Sequence, residues 1–336
     1  MMTKDSDIPT PQAVIPCSDL TEAIEFFTER LGFRLDMIVP ADAPRAAVVA
    51  GHGIRLRLES NQPNETTPPE TERFIVSRMN SDAWHVGRAG MQYRDLIPSR
   101  LGGRFIASHI RIPDGGEVPD YVHFHKVRFQ MIYCKAGWVR VVYEDQGEPF
   151  VLSAGDCVLQ APEIRHRVLE SSAGLEVIEI GSPAIHETYV EHKLQLPTGQ
   201  MLPERLFGGQ RFVRHIASEA EWMASPIAGC EMRDTGIAAA TNGLASALVH
   251  RLAAQASASR HQHDGEFLFL FVLNGALDFE SQTEGCQQLA SGDCFVIPAG
   301  MEFTLQASEK LELLEVSLPA DLSRGSEPRA VATGLA

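Results

Sequence analysis

His123-Phe-His125 sets two imidazoles two residues apart, and His166 supplies a third downstream. On an extended strand, residues i and i+2 project to the same face, so His123 and His125 emerge together. Imidazole nitrogen binds most divalent first-row metals. Three neutral donors would leave the metal its full charge and several open positions for other ligands. Gln130, five residues past His125, offers a further oxygen that is uncharged and weak. Arg128, Tyr133 and Arg140 fall on predicted strands near these ligands and are the candidate catalytic residues. Arginine suits bidentate capture of a carboxylate. His186 and His192 have no ligand-like spacing and are expected to be solvated.

The elements that must position these groups are read from an internal repeat. Tyr93-Arg94-Asp95 matches Met232-Arg233-Asp234, and His123-Phe-His125 matches His261-Gln-His263. Gly137 matches Gly275, Gly155-Asp156-Cys157 matches Gly292-Asp293-Cys294, and Leu175 to Glu179 matches Leu311 to Glu315. The offset stays between 136 and 139 residues throughout. A register held over so many landmarks marks a duplicated domain. Each copy consists of short β-rich runs split by Gly, Pro, Asp and Asn, the pattern of a small barrel or sandwich.

The second copy keeps His261 and His263, but Leu268 and Phe303 stand where Gln130 and His166 stand in the first. Neither side chain can ligate a metal. Glu266 could restore a carboxylate, so His261, His263 and Glu266 are a possible second site. The alternative is a barrel filled by apolar packing with a structural role.

Ahead of the repeat, Asp19 and Glu22 form a capping box, and Leu20, Ala23, Ile24, Phe27 and Leu31 share one helical face. Strand-like runs flank that helix, giving the order βαβββ. The divisions are therefore 10–60 for this module, 61–89 for a linker, 90–185 for the first barrel, 186–212 for a connector, 213–320 for the second barrel and 321–336 for a tail. The 336 residues carry a formal charge of −15, which disfavours nucleic acid and anionic membranes as partners. The apolar run Phe267 to Leu273 is far short of the roughly 20 residues that a membrane span needs. A polar N-terminus and six cysteines without a CxxC pair point to reduced thiols and a cytoplasmic location.

The chain resembles the cupins. The pattern Gly116-x6-His123-x-His125-x4-Gln130-x6-Gly137 is similar to their first motif, and Gly155-x6-Pro162-x3-His166 to their second. It departs from them in having Gln130 at the glutamate position and in lacking the glycine after Pro162. With the duplicate, the resemblance spans about 90–320 and implies a bicupin. That is a mainly β fold of two tandem jelly-roll barrels, each a double-stranded β-helix. It further implies a divalent metal, with Fe(II) favoured and Mn, Ni or Zn open, and a small-molecule substrate. The expected activity is a dioxygenase reaction on an aromatic, carboxylated or diketone compound. An isomerase or hydrolase using Mn or Zn, or a binder without turnover, are the rivals. The segment from Ile15 to Phe33 resembles one glyoxalase, or vicinal-oxygen-chelate, module. That family's strand-one histidine falls at Gln12, and its terminal carboxylate at Glu59. A single module of this kind is expected to pack on a barrel or to support a homodimer.

Overall fold

The computed structural model describes residues 13–61, 73–80, 84–225, 229–254 and 256–322. Within them lie two β-barrels and a small α/β module in front. In the module, Asp19 accepts the Glu22 N–H at 3.0 Å and caps the helix Leu20–Glu25. A π-helical turn, Phe26–Arg30, follows, and the chain reverses at Gly32 with φ of +69°. Leu20, Phe33, Ile38, Ala47, Val49 and Leu58 are buried between this helix and the sheet. Strand Ala13–Cys17 pairs parallel to Ile54–Ser60, and Arg34–Val39, Ala46–Gly51 and Ile54–Ser60 form an antiparallel run. Gln12 lies outside the described residues, and Glu59 is ion-paired with Arg57.

The module's sheet does not end at its own edge. Arg34–Val39 pairs with Thr188–Val190, which pairs in turn with His123–His125 of the first barrel. One ten-stranded sheet thus runs from the module into the barrel wall. The segment 186–212, expected as a bare connector, supplies the strand that joins them. Its backbone groups satisfy both exposed edges, which would otherwise be left unpaired.

Strand alternation builds the rest. In Phe267–Asn274, Phe267, Phe269 and Phe271 lie in a core between the two barrels, while Leu268, Leu270 and Val272 lie inside the second barrel. In Phe129–Ala136 the same period sends Phe129, Met131 and Tyr133 into the inter-barrel core. Ile132 and Cys134 face the first barrel's interior. Both strands are buried on two faces, which explains their nearly continuous apolar sequence. Phe105 stacks on Phe267 across the interface at 4.1 Å between ring centres.

The barrels also exchange chain. Ile75–Ser77, from before the first barrel, pairs with Cys294–Val296 of the second. Val213–His215, from after the first barrel, pairs with the equivalent Cys157–Leu159 of the first. Residues 61–89 therefore contain working strands, His85–Val86 included, and are not simply a linker. Arg94 donates to the Gly292 carbonyl at 2.6 Å, and the guanidinium of Arg233 lies against Gly155. The arginines shared by the two repeats clamp each barrel to a turn of the other. Gly137 and Gly275 turn each barrel's main hairpin with φ of +72° and +84°. A Cβ would meet Ser172 Oγ at 2.4 Å in one and the Lys310 carbonyl at 2.1 Å in the other.

Candidate metal centre

His123 and His125 lie on the short strand His123–His125, and His166 opens the strand His166–Ser171. The two strands are antiparallel with His123 opposite His166. One nitrogen from each imidazole lies within 4.8 Å of the others, and all three rings are buried. Phe124, of opposite parity, turns outward and stacks on Tyr189 at 5.3 Å.

Each ring is held by its Nδ1. His123 Nδ1 bonds the Tyr121 carbonyl at 2.8 Å, and His166 Nδ1 bonds the Ile164 carbonyl at 3.0 Å. His125 Nδ1 bonds Thr188 Oγ1 at 2.8 Å, from the strand that ties in the N-terminal module. A backbone carbonyl can only accept, so Nδ1 carries the proton in His123 and His166, and Nε2 carries the lone pair. Such fixed tautomers are what a metal-binding imidazole needs. Asp120 Oδ1 lies 3.6 Å from His123 Nδ1, and its other oxygen accepts the Val168 N–H. The donor set thus fits a divalent metal with three imidazoles on one side. Among the described residues no other group of three His, Cys, Asp or Glu side chains converges in this way.

The imidazoles border a cavity of about 100 Å³ inside the first barrel. Most of its wall is apolar, with Ile106, Ile110, Ile132, Val139, Val141 and Leu152 among the lining residues. Tyr143 stacks on His166 at 5.4 Å and accepts a hydrogen bond from Gln160. Its burial pushes the phenol well above its ordinary range, so it stays a neutral hydroxyl. Polar atoms come from Gln160, Glu179, His186 and, at one end, Asp42 of the N-terminal module.

Several expected residues fall elsewhere. Arg128 and Arg140 have half-exposed side chains paired to Glu266 and Glu170. Tyr133 points into the inter-barrel core, because it shares strand parity with Phe129 and Met131. None of the three candidate catalytic residues lines the cavity. Gln130 is buried but does not line it either; its amide donates to Glu179, which does. The carboxylate that the barrel's own strands bring to the wall is therefore Glu179, which the sequence offered only as a repeat landmark. Its parity with Leu175 and Val177 was the available signal. His186, expected to be solvated, is 6% exposed and lines the cavity. Burial holds its pKa below the ordinary imidazole value. His192 is partly exposed and pairs with Asp36.

In the second barrel, Leu268 and Phe303 are core residues. Glu266 turns outward to Arg128 at 2.6 Å, away from the position a replacement ligand would need. His263 donates from Nε2 to the Ile297 carbonyl, and the side chain of His261 lies outside the described residues. The interior charge here is a different pair, His250 and Glu315, at 3.4 Å.

These two barrels and the three-imidazole centre define a bicupin fold with a candidate metal site in its first barrel. Residues 248–317 match the cupin domain model. Residues 10–132 match the model of the glyoxalase/bleomycin resistance protein/dioxygenase superfamily, although the βαβββ unit itself ends at Ser60. No curated protein matches the chain. Among solved structures, it resembles a variant of salicylate 1,2-dioxygenase from Pseudoaminobacter salicylatoxidans in complex with gentisate. The TM-score is 0.55 at 16% identity, covering 74% of this chain and 83% of that one. Oxalate decarboxylase from Lactobacillus farciminis, as a formate complex, gives 0.55 at 15%, covering 74% and 87%. Oxalate decarboxylase from Bacillus subtilis gives 0.55 at 12%, covering 78% and 80%. Identities this low show a shared fold. Among the described residues no helix is long and apolar enough to cross a membrane.

Proposed function

We propose that the first barrel is the active site of a metal-dependent enzyme, a dioxygenase with Fe(II) at His123, His125 and His166. Its substrate would be a small aromatic, carboxylated or diketone molecule. The observation that carries this reading is the convergence of three buried imidazoles, each oriented through Nδ1, on the wall of a small apolar cavity. A divalent metal bound there would supply Lewis acidity and, if iron, reactivity toward dioxygen. The chain's own part is to orient the substrate and exclude water. The isoleucine and valine walls disfavour bulk water, while Tyr143 and Gln160 offer a fixed hydrogen-bonding edge beside His166.

Glu179 favours a second reading. A carboxylate at the cavity wall could carry a proton in a redox-neutral isomerisation or hydrolysis supported by Mn or Zn. The two readings separate in one experiment. Protein purified without chelator is analysed for metals. Oxygen uptake and substrate loss are then followed against catechols, gentisate-like acids, diketones and oxalate. Uptake in step with substrate loss supports the dioxygenase. Turnover without uptake supports the redox-neutral enzyme. Binding without turnover leaves a small-ligand-binding protein, and protein without metal overturns both enzyme readings.

A further inference from the structure

Two acceptor atoms on this cavity have no use inside the protein. Asp42 is 7% exposed and lines the cavity from the loop between strands Arg34–Val39 and Ala46–Gly51. Arg100 Nη2 donates to Asp42 Oδ2 at 2.7 Å and also to Asp95. That contact fixes the carboxylate and leaves Oδ1 buried with no hydrogen-bond partner. His186 Nδ1 bonds the Pro183 carbonyl at 2.9 Å, so its proton is committed there. His186 Nε2 is then a second buried acceptor without a partner, on a ring 5.5 Å from that of His125. Buried polar atoms are paired in the great majority of cases, and each exception calls for an explanation. Two exceptions of the same kind on one cavity call for a common one.

The loop is seated by close packing. A Cβ at Gly87 would lie 2.7 Å from the Tyr93 ring and 2.8 Å from the Asp42 carbonyl. Its parent module is locked in register by the strand Thr188–Val190. Asp42 is therefore held in place as part of the cavity wall.

Resting on the reading of the first barrel as a metal-dependent small-molecule site, we propose that Asp42 and His186 form a subsite for a hydrogen-bond donor of the substrate. The substrate carries a metal-binding oxygen group at one end and a hydroxyl or amine at the other. The N-terminal module is thus a specificity element of the barrel's site: it supplies a carboxylate that the barrel's own strands do not provide there. A molecule without the donor would leave two buried acceptors unpaired, and sites of that kind reject such analogues strongly.

The test uses the full chain loaded with Fe(II) under anaerobic conditions, with metal content measured on every sample. Gentisate and 5-aminosalicylate carry a donor opposite the chelating group, 5-methoxysalicylate carries only an acceptor there, and salicylate carries neither. Calorimetric titration should show the donor-bearing pair binding at least tenfold tighter than the other two. Asp42→Ala should remove most of that preference. Asp42→Asn keeps the side-chain shape and serves if the first variant folds poorly. Arg100 would hold its amide oxygen and turn the NH2 inward, so the preference should fall there too. Equal affinities in the parent protein, an unchanged preference in both variants, or no binding by any of the four would overturn the subsite. Failure of the metal reading is separate, because it appears as samples that hold no iron.

Discussion

Glu315→Gln should make the second barrel's stability insensitive to pH where the parent protein is most sensitive. His250 and Glu315 are both nearly buried and lie 3.4 Å apart. Burial by itself would lower the imidazole's pKa, but the Glu315 charge and the contact with Cys230 overcome it and raise it to about 9, from 6.5. A pKa raised in the folded state stabilises the fold while the group is protonated. That contribution is complete below about pH 6.5 and is lost as the pH climbs through 9. At 1.36 kcal/mol per unit, the difference amounts to about 3 kcal/mol at pH 6 and about 1 kcal/mol at pH 8. Without the carboxylate, burial alone would keep His250 neutral, so the variant lacks this term at every pH. Its deficit relative to the parent protein should therefore shrink by roughly 2–3 kcal/mol between pH 6 and pH 9. The assay is amide hydrogen exchange of peptides covering Ser246–Leu252 and Leu311–Leu318, corrected for the intrinsic rate at each pH. Local opening energies avoid assuming that two barrels unfold in one step. Protection that changes identically with pH in both proteins would refute the ion pair as the source.

His123→Ala should lose most of the bound metal by elemental analysis, since two imidazoles remain of three; full stoichiometry in that variant would put the metal elsewhere. Gln130→Ala should retain the metal, because its amide reaches Glu179 and not the cavity; loss of metal there would contradict the three-histidine assignment. Glu179→Gln should also retain metal, and if Glu179 carries a proton, turnover should fall on the order of a hundredfold. An unchanged rate and pH profile would remove it from the chemistry. Deleting residues 1–60 uncovers the edge of Thr188–Val190 and one end of the cavity. The truncated chain should be less soluble and should exchange the Thr188–Val190 amides faster. A soluble product with unchanged protection would show that the module does not support the barrel.

The sequence by itself determined the duplication, the βαβββ order, the helix cap at Asp19 and the shared face of His123 and His125. These are local or periodic properties: a capping box acts over three residues, and a two-residue period puts alternate side chains on one face whatever surrounds the strand. The same period places Arg140 on the outer face, opposite Val139 and Val141. Tyr133 and Glu179 lie on strands that are apolar on both faces, so the period leaves two candidate inward faces there and the docking of the barrels chooses between them. Arg128 and Glu266 could not be judged this way. They lie 138 residues apart in sequence, one on each barrel, and their pairing exists only once the barrels dock. The places of His186 and Asp42 were likewise decided by tertiary structure alone. His186 immediately precedes a strand, Thr188–Val190, whose partners come from two separate parts of the chain, and Asp42 sits on a loop of a different module. No spacing rule links either to His123, because what brings them together is sheet pairing from the N-terminal module through Thr188–Val190 into the barrel wall.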